Sequence, residues 1–196
     1  MNIPKLKEYM QPHFDIFKDR NVYCWVSSGA IRDFFTGDPF IDIDFFFSSR
    51  KDMLIAKNSI LEIGAKKIRD LPQNRGEKFK YKNTAYDLAC WDGGGDPPCK
   101  AENPQKMIEW FDYTVEMAAL DSNGKFYNHP NFFEDCKNKR LVRNSIRDFY
   151  PRANNRRLLK YIKKGYTIDT DNLQTWLEDQ DATFEHRHNI NKNKLK

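Results

Sequence analysis

Long apolar runs are missing from this chain. Nowhere in its 196 residues is there anything near the ~20 consecutive apolar residues that a bilayer-spanning helix needs. The mean hydropathy is −0.83, and no membrane partner is expected. The opening Met1-Asn2-Ile3-Pro4-Lys5-Leu6-Lys7 lacks the apolar core of a secretory signal, so a cytoplasmic location is the expectation. Cysteine is sparse: Cys24, Cys90, Cys99 and Cys136 show no C-x-x-C spacing. Histidine is equally sparse, and His13, His129, His186 and His188 supply no familiar ligand interval. Together these absences argue against a structural zinc site. They fit reduced thiols, with Cys24 and Cys90 as small core residues. Internal repeats are also absent.

Charge of one sign is only mildly in excess. The net charge is +5 and the isoelectric point about 8.9. That suits a polyanionic partner and equally an ordinary Lys-rich surface. The distribution says more: basic residues gather from Lys137 to Lys164 and again at Lys192, Lys194 and Lys196. What the chain has in abundance is aromatic bulk, with 15 Phe, 9 Tyr and 4 Trp. That is enough for one domain, or for one domain with a small helical extension.

The most informative stretch is Ser28-Gly29-Ala30-Ile31-Arg32-Asp33-Phe34-Phe35-Thr36-Gly37, followed by Ile41-Asp42-Ile43-Asp44-Phe45-Phe46-Phe47. A small-residue turn opens a short helix, whose exposed N–H groups favour a phosphate. Two aspartates then stand at i and i+2 of an apolar strand. They point to one face with Cα atoms roughly 6.5–7 Å apart, a spacing suited to divalent cations of the two-metal type. A lone Asp-x-Asp more often decorates a solvated face. Here the flanking Phe40, Ile41, Ile43, Phe45, Phe46 and Phe47 predict a buried strand, where unpaired charges are costly.

Periodicity predicts a helix over residues 3–20, a strand over 21–26, a helix over 30–35 ending at Gly37, and a strand over 40–47. A helix follows over 50–63, then a strand over 65–69 and a hairpin of 79–81 with 84–91 turning at Lys82-Asn83. Residues 92–104, with Gly93-Gly94-Gly95 and Pro97-Pro98, read as a loop. The apolar spacing of Met107, Ile108, Phe111, Val115, Met117, Ala118 and Ala119 predicts a helix over 105–120. A turn follows at 121–124, and 126–133 reads as irregular. A basic helix is expected from about Asn154 to Gly165, a second helix over 171–187, and a disordered tail over 189–196. The fold class is α+β with a small mixed sheet.

Asp87, in Ala85-Tyr86-Asp87-Leu88-Ala89, is placed to be a third carboxylate; a hairpin carboxylate facing water is the competing reading. Asp112 is a further candidate acid, expected on the helix after the loop. The ordered motifs resemble the class II CCA-adding and bacterial poly(A) polymerase family, within the polymerase-beta-like nucleotidyltransferase superfamily. The family's Gly-Gly-x-Val-Arg-Asp, Leu-Leu-Gly and Asp-x-Asp match Ser28 to Asp33, Phe34 to Gly37, and Asp42-Ile43-Asp44. A later acidic strand motif matches Tyr86-Asp87-Leu88-Ala89. The Arg-Arg-Asp-Phe-Thr-Ile-Asn-Ala motif matches in part over Trp110 to Ala118. A connecting region resembles Phe132 to Arg143, and Arg157 to Ile162 with Gly165 to Asp169 resemble the ends of the family's neck helix. The match spans about residues 22–169.

This resemblance implies a nucleotidyltransferase head over 1–140, a helical neck-like extension over 141–188 and a basic tail over 189–196. It implies Mg²⁺ on Asp42 and Asp44, with Asp87 as third carboxylate or its support. Ser28 and Gly29 would lie near the triphosphate of an NTP, ATP among the candidates. Arg32 would pair with a phosphate or with Asp33, and Asp112, Asn154 and Arg157 would face the nucleotide. The chain departs from the family in three places. Trp110 and Phe111 replace its paired arginines, Glu116 replaces its asparagine, and its base-reading Glu-Asp-x-x-Arg falls on Ala153-Asn154-Asn155-Arg156-Arg157, where only the arginine remains. The expected function is nucleotidyl transfer to a hydroxyl acceptor, foremost an RNA 3′ end of the tRNA kind. The alternatives are a transferase acting on a non-RNA acceptor, or a nucleotide- or RNA-binding module with little catalysis.

Overall fold

The computed structural model describes residues 2–40, 42–92, 101–144 and 151–168, the side chains of 151–155 excepted. Helix α1 (Ile3–Phe14) starts where the Asn2 side chain accepts a hydrogen bond from the Lys5 N–H at 3.0 Å. It buries Leu6, Met10 and Phe14 along one stripe and passes into a 3₁₀ turn over Asp15–Arg20. Strand β1 (Cys24–Ser27) leads to α2 (Gly29–Thr36), which ends at Gly37 with φ +73. Strand β2 (Asp42–Phe47) follows. Helix α3 (Arg50–Glu62) is capped by Ser49, whose side chain accepts from the Asp52 N–H and donates to the Asp52 carboxylate.

Strand β3 (Lys66–Asp70) is exposed along its whole length. Strands β4 (Gly76–Tyr81) and β5 (Thr84–Cys90) form the expected hairpin, paired from Tyr81↔Thr84 back to Gly76↔Ala89. The main sheet has seven strands in the order β3-β4-β5-β2-β1-β6-β7. It is mixed, because β2 and β5 run parallel while the other neighbours pair antiparallel.

The helix expected over 105–120 is not there. In its place stand a short α4 (Pro104–Ile108), a 3₁₀ turn over Thr114–Glu116 and strand β6 (Ala118–Asp121). The reason is burial on both sides. Ala118 and Leu120 face one core, Met117 and Ala119 the other. A continuous apolar run of this kind carries no period that separates strand from helix. Asp112 therefore sits on a turn and not on a helix. Asp121 forms the predicted turn by accepting from the Asn123 and Lys125 N–H groups. The stretch expected to be irregular holds the edge strand β7 (Phe126–Asn128) and the start of α5 (Phe132–Lys137).

Strand β8 (Arg140–Leu141) pairs in parallel with β9 (Thr167–Ile168), which follows α6 (Pro151–Lys163) and ties its C-terminal side to the body. Helix α6 begins three residues before the expected Asn154, and Gly165 takes φ +81 beyond its end. The second expected helix, the basic tail, Cys99 and the Gly93-to-Pro98 part of the loop lie outside the described residues. Cys24, Cys90 and Cys136 are free and buried.

The sheet divides two cores. On one face Ile43, Phe45 and Phe47 meet α1, the 3₁₀ turn and α3; Phe17 stands edge-on to Phe45 with ring centroids 5.0 Å apart. On the other face Trp25, Phe46, Ala89 and Phe111 pack under Met107 and Ile108 of α4. This second core stops short of the outer ends of β2 and β5, and there the sheet opens into a cleft.

Candidate active site

Residues 42, 44 and 46 of β2 share the face of the second core, since side chains alternate along a strand. Phe46 reaches that core. Asp42 and Asp44 lie beyond its edge and line the cleft. The parallel register places Asp44 beside Asp87 of β5, and the antiparallel register places Asp87 beside Lys78 of β4. Asp44, Asp87 and Lys78 thus form one row across three strands. Lys78 Nζ is 3.1 Å from Asp87 Oδ1 and 3.5 Å from Asp42 Oδ1. Asp42 is the open member, its side chain 54% exposed, whereas Asp87 and Lys78 are 17% and 16% exposed. Of the two readings of Asp87, the water-facing hairpin carboxylate does not describe it.

The crowding shows in the titration of the row. Burial, then Asp87 and Asp42, push the Asp44 carboxyl up to about 7, against the pull of Lys78 and Lys160. Burial also raises Asp87, with Lys78 opposing it. For Lys78 burial acts downward, but Asp87, Asp42 and Asp44 outweigh it and hold the ammonium charged.

The cleft has a volume of about 880 Å³. Its floor is Asp42, Asp44, Asp87 and Lys78, and the α2 turn contributes Ser28 and Gly29. One rim carries Arg69 and Arg75, and the other Arg157, Lys160 and Lys164 of the α6 segment. Phe46, Trp91, Trp110 and Phe111 make an aromatic wall. Within it the Trp91 ring is perpendicular to Phe46 at 5.7 Å, and the Arg75 guanidinium lies 4.8 Å from the Trp91 ring centre.

Ser28 holds φ +66, ψ −123 and makes no side-chain cap, while its N–H donates to the Ala118 carbonyl at 3.3 Å. A non-glycine residue there is strained. Arg32, 1% exposed, is not free for a phosphate. Its Nε donates to Asp33 Oδ1 at 2.8 Å, and its Nη1 donates to the Tyr161 hydroxyl at 2.6 Å. That hydroxyl donates in turn to Glu116 Oε1 at 2.5 Å, and Lys164 Nζ donates to Asp33 Oδ2 at 2.8 Å. Arg157 is ion-paired with Asp112. Asn154 lies on α6, but its side chain is outside the described residues. Among the described residues no group of three His, Cys, Asp or Glu side chains is drawn together tightly enough to hold a metal ion as it stands.

Sequence reasoning brought out Asp42, Asp44 and Asp87 but passed over Lys78. The signal was present in the hairpin. A two-residue turn at Lys82-Asn83 pairs 81 with 84, and counting back puts 78 opposite 87. Arg69, Arg75 and Lys160 carried no comparable local signal.

No protein-family model matches the sequence, and no curated protein matches it. Solved structures do match in fold. An apo CCA-adding enzyme superposes with a TM-score of 0.68 at 16% identity, covering 94% of this chain and 44% of that one. The Bacillus stearothermophilus CCA-adding enzyme in complex with CTP gives 0.61 at 17% identity, covering 86% and 42%. The Thermotoga maritima CCA-adding enzyme complexed with tRNA gives 0.60 at 16%, covering 85% and 40%. The chain thus has an α+β fold with a mixed sheet that these structures match. In particular it shares that fold with the CCA-adding enzymes and spans less than half the length of these structures.

Proposed function

We propose that this chain is a Mg²⁺-dependent nucleotidyltransferase, moving a nucleoside monophosphate from an NTP to a hydroxyl acceptor, foremost a tRNA-like 3′ end. One observation carries the reading: Asp42, Asp44 and Asp87 stand on the open face of the sheet, in one cleft with the start of α2 and the basic side of α6. Carboxylates grouped in one cleft are the hard oxygen donors that Mg²⁺ prefers, and burial, which raises the Asp44 and Asp87 carboxyls, is a cost that a bound cation would offset. Asp42 and Asp44 would hold the cation, with Asp87 as third carboxylate or its support; when bound, the cation neutralises charge on the transferring phosphate.

The acceptor oxygen forms a bond to the α-phosphorus, the bond to the bridging oxygen breaks, and pyrophosphate leaves. The first-turn N–H groups of α2 beyond Ser28 offer the phosphates a positive helix end. Lys160 adds charge from across the cleft, with Arg157 beside Asp112 and Lys164 beside Asp33. Trp91 and Trp110 offer flat faces to a base. The test is incorporation of each α-labelled NTP, with Mg²⁺, into tRNAs lacking one, two or three terminal nucleotides. The Asp42→Ala/Asp44→Ala double variant serves as control. Incorporation by the wild type alone supports the reading, and equal incorporation by both removes it.

A second reading has its own observation. Arg32 is bound into the protein, and aromatics stand at 110 and 111. With Arg32 engaged and no arginine at 110 or 111, the site suits a nucleotide-binding module without turnover, seen as Mg²⁺-dependent NTP binding with no incorporation.

A further inference from the structure

Two of the three carboxylates of the cleft, Asp42 and Asp87, are already bridged by a cation of the protein's own. Lys78 Nζ spans the gap between β2 and β5, 3.1 Å from Asp87 Oδ1 and 3.5 Å from Asp42 Oδ1. It does not reach there by chance rotation of a surface chain. Lys78 lies directly opposite Asp87 in the hairpin register, its neighbour Phe79 is fully buried on the far face, and its own side chain is 16% exposed. The stem is confined and the ammonium has few other places to go. Arg69, also on this rim, belongs to the outer strand β3, and Arg75, whose carbonyl accepts from the Cys90 N–H, holds its guanidinium over the Trp91 ring.

We propose that Lys78 stands in permanently for one of the two divalent ions that paired carboxylates of this type accommodate, so that the chain takes a single ion at Asp42 and Asp44. This rests on the metal-binding reading given above. A monovalent ammonium fixed between Asp42 and Asp87 neutralises part of the negative charge and blocks a second ion by repulsion. Asp87 then serves as a positioning residue for Lys78 and not as a shared ligand.

The test is Mn²⁺ binding by the full-length protein without nucleotide, followed by calorimetry and by the loss of the free-ion electron paramagnetic signal. Wild type, Lys78→Met, Lys78→Gln and Lys78→Arg are compared. One Mn²⁺ per wild-type chain is expected. Lys78→Met and Lys78→Gln should bind a second ion, or bind the first roughly tenfold or more tightly, because a like charge a few ångströms away has gone. Lys78→Arg, which keeps the charge, should behave as wild type. Two ions on the wild type would overturn the proposal whether or not any variant folds. One ion of equal affinity on wild type and on both uncharged variants would overturn it too, leaving the metal site itself intact. No Mn²⁺ on any of them removes the metal reading along with it.

Discussion

Replacing Tyr161 by Phe should cost far more than one hydroxyl at a surface would. Tyr161 is 1% exposed, and its hydroxyl sits between two buried ions, accepting from Arg32 Nη1 at 2.6 Å and donating to Glu116 Oε1 at 2.5 Å. Burial and the neighbouring Glu116 hold the phenol well above its ordinary range, so it remains a donor at every working pH. Hydrogen bonds to charged groups are worth about 1.5–3 kcal/mol each, and both partners here lose theirs together. Arg32 keeps Asp33 as counter-ion, which limits the loss. We expect Tyr161→Phe to destabilise the protein by about 2–5 kcal/mol. Urea unfolding at neutral pH, extrapolated to water, measures it. Glu116→Leu combined with Tyr161→Phe should show a coupling of about 1 kcal/mol or more, since the two groups share one bond. A loss under about 0.5 kcal/mol for Tyr161→Phe, with an unchanged slope, would refute the claim that this hydroxyl joins α6 to the body.

Three other outcomes follow from the geometry. In metal-free buffer the folded Asp44 holds its proton up to about pH 7, whereas an unfolded aspartate releases it near 3.9. Stability therefore falls as pH rises through that window, and Asp44→Asn should remove the fall, gaining about 2–4 kcal/mol over wild type by pH 8; parallel pH profiles for the two proteins would contradict this. Ser28→Gly relieves the φ +66 strain at the cost of a more flexible unfolded chain, for a net gain of about 1 kcal/mol in unfolding free energy. Gly76→Ala would set a Cβ 1.8 Å from the Leu88 carbonyl oxygen at φ +153. It should lose about 3 kcal/mol or more, or fail to yield soluble protein; wild-type stability would show that the start of the hairpin can shift.

Much of this fold is legible along the chain where one face is wet and the other dry. The Leu6, Met10, Phe14 stripe, the Gly37 stop and the Lys82-Asn83 turn each carry a local signal, and an element lies at each, although the helix read over 3–20 is α-helical only to Phe14. The signal fails where burial is two-sided. Met117 to Leu120 sits in the middle of the sheet and offers no wet side to mark the period. The site divides the same way. The i, i+2 spacing of Asp42 and Asp44 is a local fact. The occupation of Arg32 by a tyrosine 129 residues further on is not, and neither is the side-by-side register of Asp44 and Asp87 across a parallel pair. Asp112 shows the cost of the misread helix, since its pairing with Arg157 follows from a turn that periodicity did not reveal.

The pairing of Lys78 with Asp87 also bears on how the cleft is put together. Asp42 and Asp44 belong to a single strand, but Asp87 comes from a later one, and the parallel contact that unites them must close a chain segment of 43 residues, a slow kind of contact to form. The β4–β5 hairpin can close first, on its own tight turn. When it docks it brings an anion and its counter-ion side by side, a package of no net charge. In that order of assembly the third carboxylate meets the first two with its counter-ion beside it, against less repulsion than a bare carboxylate would meet. A slip of one residue at Lys82-Asn83 would turn Lys78 to the face opposite Asp87 and separate the carboxylate from its counter-ion.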